Sequence, residues 1–281
     1  MNMLITGAQG QLGRDVVTEA VKRNWQATGV DVDDFDLTDR AATHAALREI
    51  KPQVVIHCAA YTAVDRAESE PEQAFAVNEN GTRHVAEYCA EHGAWLIYVS
   101  TDYVFDGAGD IPWEVTDTPA PCNVYGASKL AGEMTVREIC ERHMIVRTSW
   151  VFGRHGGNFV KTMLRLGSER ASLNVVADQV GAPTYTVDLA RLLCDMAASP
   201  KAGIYHASNA GECSWAAFAR VIFKLAGMSC TVNPIPSSEY PTPAARPKNS
   251  RLSPNALLAV GYDMLPAWED ALNRMLKEEL E

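Results

Sequence analysis

Met3-Leu4-Ile5-Thr6-Gly7-Ala8-Gln9-Gly10-Gln11-Leu12-Gly13 opens with a short apolar run and passes straight into three glycines. Leu12, Val16, Val17, Ala20 and Val21 follow at helical spacing, and the pattern ends near Asn24. The stretch reads as strand, glycine turn, helix. Glycines let a backbone turn tightly and approach a pyrophosphate, and the N-terminus of a helix faces that negative charge with free N–H groups. The next apolar run, Ala27 to Val30, ends at Asp31. An acid placed about twenty residues beyond such a turn can bond the ribose hydroxyls of a dinucleotide. Gly7, Gly10 and Gly13 are therefore candidates to cradle a dinucleotide with Gln11 and Leu12, and Asp31 favours a free 2′-hydroxyl over a 2′-phosphate. A single carboxylate that can rotate away leaves both NADH and NADPH open.

Working outward, the same alternation recurs. Asp36-Leu37-Thr38-Asp39 opens a second helix with Thr38 or Asp39 as its cap. Val54 to His57 is a third buried strand, running into the small residues Ala59 and Ala60, beside which a flat cofactor can lie. Glu72 to His92 reads as one long helix, Trp95 to Val99 as a fourth strand and Met144 to Thr148 as a fifth. Strands alternating with helices define an α/β protein: a Rossmann-type, doubly wound parallel sheet over residues 1–149. From residue 150 to 281 the alternation weakens. Phe159 to Leu166 looks helical, Val175-Val176 suggests a strand, and the Pro- and Ser-rich stretch from Pro234 to Pro254 reads as loops. This part is expected to form a smaller, less regular substrate-binding lobe, with some segments returning to the main sheet.

Two further stretches carry chemistry. Ser100-Thr101-Asp102-Tyr103-Val104-Phe105 lies at the carboxyl end of the fourth strand, where ligands bind in a doubly wound sheet. In Asn123-Val124-Tyr125-Gly126-Ala127-Ser128-Lys129, Tyr125 and Lys129 share one helix face. An ammonium near a phenol lowers a pKa that is otherwise about 10, so such a tyrosine can exchange a proton with a carbonyl or alcohol.

The 281 residues, 47% of them hydrophobic, suffice for one large or two modest domains, and the formal net charge of −10 argues against a nucleic-acid surface. No run approaches the roughly 18 apolar residues of a membrane span, and Met1 to Gly7 lacks the basic flank of a signal peptide. Seven scattered cysteines form no Cys-x-x-Cys pair. A cytoplasmic protein with reduced thiols is expected, acting on a small molecule.

Taken together, the glycine turn, the Ser100-Thr101 strand end and Tyr125-x-x-x-Lys129 resemble the extended short-chain dehydrogenase/reductases. Within them, Ala59-Ala60-Tyr61-Thr62-Ala63-Val64-Asp65, Arg147-Thr148-Ser149-Trp150, Asp178-Gln179-x-Gly181-Ala182-Pro183-Thr184 and Arg246-Pro247-x-Asn249-Ser250-Arg251-Leu252 are similar to the dTDP-4-dehydrorhamnose reductase family. The resemblance implies NADPH- or NADH-dependent reduction of the C4 ketone of a dTDP-linked 4-keto-6-deoxysugar, dTDP-4-dehydro-6-deoxy-L-mannose, to dTDP-L-rhamnose. It casts Tyr125 as proton donor and Lys129 as the group that binds the nicotinamide ribose and keeps the tyrosine acidic. Thr101 would bond the carbonyl oxygen. Gly10, Gln11 and Leu12 would hold the pyrophosphate, Asp31, Asp36 and Leu37 the adenosine end, and Ala59, Ala60 and Tyr61 the nicotinamide half. Asp102, Tyr103, Trp150 and Asn158 would stand on the substrate side, with Arg246 for the diphosphate. Some family members are Mg²⁺-dependent dimers with acidic ligands at the interface. Asp15 matches one such place, but the other falls near Val187, which cannot ligate a hard cation, so no metal is expected and either a monomer or a homodimer is open.

Other readings stand beside these. Thr101 also reads as only closing the strand end, Trp150 as filling the core and Arg246 as forming a surface salt bridge, while His57 and His206 read as satisfied core residues. Another nucleotide-sugar reductase or an epimerase would keep the same motifs. So would a non-catalytic, cofactor-holding regulatory subunit of the kind represented by the β subunit of methionine adenosyltransferase.

Overall fold

A computed structural model describes residues 1–280. Six parallel strands form the main sheet: β1 (Asn2–Thr6), β2 (Gln26–Val30), β3 (Val54–His57), β4 (Trp95–Thr101), β5 (His143–Thr148) and β6 (Gly203–His206). They lie in the order β6-β5-β4-β3-β1-β2. The chain leaves β1 toward β2 on one side and comes back to β3 on the other. That reversal opens a crevice at the carboxyl ends of β1 and β3, where doubly wound sheets take their ligands.

Alternate residues of each strand face opposite layers. Met3 and Ile5 pack with Leu12, Val16 and Ala20 of α1 (Gln11–Lys22) and with Leu189 and Leu193 of a helix from later in the chain (Thr186–Ala198). Leu4 faces the other way, toward Leu47 of α2 (Arg40–Ile50), Val85 of α3 (Thr82–His92) and Val136 of α4 (Val124–Ile139). Both faces are covered, which accounts for strands that read as continuous apolar runs. Asp39, one of the two expected caps, accepts hydrogen bonds from the N–H groups of Ala41 and Ala42.

The expected single helix from Glu72 to His92 is interrupted. A short helix, Pro71–Phe75, passes through a π-helical turn, Ala76–Gly81, before α3 begins. The cause lies in Asn78, whose buried side chain accepts from the Tyr61 N–H and donates to the Tyr61 carbonyl and the Ser128 hydroxyl. Wider turns of this kind recur near functional sites because they turn a side chain off the regular helical face.

The segment from Thr186 to His206 runs back onto the main sheet and supplies its sixth strand. Leu257, Tyr262 and Leu265 join the core of that sheet, and other later residues build a second apolar core. Its centre is Phe152, Phe218, Phe223 and Trp268, with Leu173 and Val232 from two short paired strands, Ser172–Val176 and Thr231–Ile235. The stretch expected to be loops from Pro234 to Pro254 is mostly irregular, but Asn249–Ser250 pairs with Val180–Gly181. Among the described residues, no helix is long and apolar enough to cross a membrane.

Candidate active site

A cavity of about 760 Å³ runs from the glycine turn to the start of the second lobe. At its floor, Gly7 has φ +67°, and a Cβ there would sit 2.7 Å from the Ala59 amide nitrogen. A Cβ on Gly13 would lie 2.1 Å from the Gly7 carbonyl oxygen. These two positions thus admit only glycine, because β1, α1 and the end of β3 meet there without room for a side chain. Gly10 is the N-cap of α1, and no acidic residue occupies the first helical turn. Free N–H groups and an uncompensated positive helix end suit a pyrophosphate.

Gly7, Gly10, Gln11, Leu12, Gly13, Asp31, Asp36, Leu37, Ala59 and Ala60 all line this cavity. Asp36 accepts from both the N–H and the hydroxyl of Thr38, which hold its carboxyl below the usual range. Tyr61, expected beside the nicotinamide half, is not part of the lining. Its hydroxyl donates to Glu70 at 2.6 Å instead.

At the far end, Thr101, Asp102, Tyr103, Tyr125 and Lys129 converge with Trp150. Asn123 caps α4 by accepting from the Gly126 N–H at 2.7 Å. Gly126 lets the Tyr103 backbone rest on the helix, where a Cβ would meet the Tyr103 carbonyl oxygen at 2.1 Å. That close approach brings the rings of Tyr103 and Tyr125 to 5.6 Å, edge to face. The Lys129 ammonium donates to the Val99 carbonyl at 2.8 Å and lies 4.0 Å over the Tyr98 ring. Thr101 accepts from the Tyr103 N–H and donates to Asp102, so it does close the strand end while also lining the cavity.

The titration of the pair departs from the simple expectation that Lys129 makes Tyr125 acidic. Desolvation pushes the Tyr125 phenol up to about 12, against a smaller opposing pull from the Thr101 hydroxyl. The same burial brings Lys129 down to about 7, with Glu133 holding it up in part. In this dry corner the phenol keeps its proton. That is the state a proton donor requires. Asp102 is pushed up to about 7 by burial, and its Oδ2 has no partner.

Sequence reasoning missed the support behind these groups. Glu133, one turn beyond Lys129, accepts from Arg147 through both oxygens at 2.9 and 2.7 Å, and from Ser100 at 2.5 Å. The spacing Tyr125, Lys129, Glu133 was a visible signal. Arg147 in turn contacts His206, and His57 sits between the hydroxyls of Thr6 and Thr82. Burial takes both histidines down to about 3, so they are neutral core groups. Trp215 was also missed. It lines the cavity and stacks on Trp150 at 3.6 Å between ring centroids. Trp150 holds a left-handed backbone, φ +48°, and the absence of a side chain at Gly181 makes room for its ring.

Two expected substrate residues stand outside the lining. Asn158 caps the helix Phe159–Glu169 and donates to the Gln11 side chain at 2.9 Å, tying the second lobe to the glycine turn. Arg246 pairs with Asp65 at 2.8 Å, although its Nη1 is buried without a partner. Of the residues at the two magnesium positions, Val187 does not fit a hard cation. Val187 packs against the second apolar core, while burial raises the Asp15 carboxyl, which has the His155 imidazole at 4.0 Å and one buried oxygen without a partner.

A dinucleotide crevice ending at a buried Thr–Tyr–Lys cluster defines an oxidoreductase of the extended short-chain type. The chain belongs to the family described as the RmlD substrate binding domain, which it matches over residues 1–281. It is 42% identical to a dTDP-4-dehydrorhamnose reductase of Sinorhizobium fredii, over 98% of this chain and 97% of that protein. Among solved structures, a Bacillus anthracis dTDP-4-dehydrorhamnose reductase in complex with NADP superposes with a TM-score of 0.96 at 44% identity, covering 98% of each chain. An orthologous reductase from Clostridium acetobutylicum gives 0.98 at 40% identity, covering 100% of each.

Proposed function

We propose that the protein reduces the C4 ketone of dTDP-4-dehydro-6-deoxy-L-mannose to dTDP-L-rhamnose with a nicotinamide cofactor. The observation that carries this reading is one continuous cavity joining the glycine turn to Thr101, Tyr125 and Lys129. The activity borne by relatives 42% identical over nearly the whole chain supports the same substrate.

The chain's own residues divide the work. Gly10 lets the pyrophosphate approach and the N–H groups of Gln11 and Leu12 bind it, Asp31, Asp36 and Leu37 flank the adenosine, and Ala59 and Ala60 leave room for the nicotinamide half. Lys129 binds the nicotinamide ribose. When bound, the reduced nicotinamide supplies the hydride. Thr101 orients the ketone oxygen, and Tyr125 delivers its phenolic proton to that oxygen as negative charge develops there. Asp102, Tyr103 and the Trp150–Trp215 stack shape the sugar end. Arg246, outside the cavity lining and paired with Asp65, has one buried, unpartnered nitrogen that would have to be uncovered to take a diphosphate oxygen. The free cysteines, most of them buried, accord with a reducing cytoplasmic setting.

The test is nicotinamide oxidation with the dTDP-linked ketone, wild type against Tyr125→Phe. The expected result is stoichiometric cofactor consumption that the variant loses. Turnover without net consumption would instead indicate an epimerase. Cofactor binding without turnover would indicate a regulatory subunit.

A further inference from the structure

Asp31 and Asp36 line the adenosine end of the cavity, and Asp33 and Asp34 lie between them in the chain without lining it. Between Asp31 and Asp36 the chain places Asp31, Asp33, Asp34 and Asp36, with no basic residue among them. Asp31 is not free to rotate away. Its Oδ2 accepts from the Gln9 N–H at 2.8 Å and its Oδ1 from the Val32 N–H at 2.8 Å. The Gln9 side chain then donates to Asp33 at 3.1 Å, and Asp34 accepts from the Asp31 N–H at 2.8 Å. Gln9 thus holds two carboxylates at once, one through its backbone and one through its amide. Lys129, at the opposite end, is the single lysine or arginine lining the cavity among the described residues. Arg14, in the first turns of α1, has its Nε committed to the Gln9 carbonyl, and Arg40 is paired with Glu87.

We propose that this chain selects NADH over NADPH, and that the determinant is the pair of carboxylates held by Gln9, Asp31 and Asp33, with Asp34 behind them, rather than Asp31 alone. The inference rests on the reductase reading above and concerns only its cofactor. A ribose 2′-hydroxyl can donate to the free lone pairs of Asp31. A 2′-phosphate brings about two negative charges to the same spot, where among the described residues no lysine or arginine lines the cavity. The relative from Bacillus anthracis was solved with NADP, so the choice is a local matter of side chains and not a property of the fold.

The experiment titrates each cofactor by nicotinamide fluorescence and also measures kcat/KM for each. NADH is expected to be favoured by about tenfold or more in both readouts. Raising ionic strength should narrow the NADH/NADPH ratio, because screening weakens repulsion felt by one cofactor only. Asp31→Asn should weaken NADH and strengthen NADPH. Asp33→Asn should strengthen NADPH by a larger factor than it alters NADH. A folding defect lowers both together and cannot produce these opposed changes. Equal binding of the two cofactors by the wild type, with selective loss of NADPH in Arg14→Ala, would overturn the inference and assign the phosphate to Arg14. Failure of either cofactor to bind would overturn the reductase reading itself.

Discussion

The two ends of the cavity are built on different plans. The cofactor end comes from short contiguous stretches, with backbone and glycine at its centre. The substrate end gathers side chains from far apart: Thr101 and Asp102 after β4, Tyr125 and Lys129 on α4, Trp150 after β5 and Trp215 on a helix of the second lobe. In the first, shape is set by where a Cβ cannot go. In the second, it is set by which buried groups hold one another. The contrast predicts that damage at one end should leave the other measurable.

The sharpest separation comes from Tyr125→Phe. Loss of the proton donor should lower kcat by about 10²–10⁴-fold while cofactor affinity, read by fluorescence titration, stays within about twofold. Comparable losses in both readouts would mean that the two ends are not separable. Gly13→Ala should do the reverse. Its Cβ would meet the Gly7 carbonyl, so cofactor affinity should fall together with about 1–3 kcal/mol of stability, measured by calorimetric titration and denaturant unfolding. A variant with normal affinity would show that the turn has slack.

A pH profile examines the substrate end with the chain intact. Lys129, depressed to about 7, loses its ammonium as pH rises through that value, whereas Tyr125, raised to about 12, keeps its proton. kcat/KM for the cofactor should therefore fall above about pH 7, approaching tenfold per unit. Asp102 changes charge in the same range, and Asp102→Asn should preserve this limb. Disappearance of the limb in that variant would assign it to Asp102. The smallest effect is expected from Trp215→Ala. Losing one face of the Trp150 stack should raise KM for the sugar nucleotide by about tenfold, at about 1.4 kcal/mol, without touching cofactor affinity.

Legibility in the sequence followed the same divide. The strands, the glycine turn and Asp31 were readable because each rests on local pattern: apolar runs, obligatory glycine, and an acid at a fixed distance. Tyr125 and Lys129 were readable because one helical turn links them. Trp215 was not, since a tryptophan opening an apolar helix looks the same whether it meets a core or a ligand. Nor was the acidity of Tyr125. Proximity to a lysine suggested a lowered pKa, but the degree of burial decided the matter, and burial is a property of the assembled lobes. Arg246 shows a third limit. Its partner is Asp65, 181 residues earlier, which the fold brings to 2.8 Å.

The π-helical turn at Ala76–Gly81 has a consequence for how such a chain tolerates change in length. It accommodates about one residue more than a regular helix over the same span. Deleting one residue there would let Pro71 to His92 run as an uninterrupted α-helix with better internal hydrogen bonds. The shortened protein would also rotate Asn78 away from Tyr61 and from Ser128, neighbour of Lys129 on α4. The insertion is thus a place where local helix stability and the placing of a distant lysine pull in opposite directions, so a deletion that regularises the helix should be selected against by catalysis and not by folding.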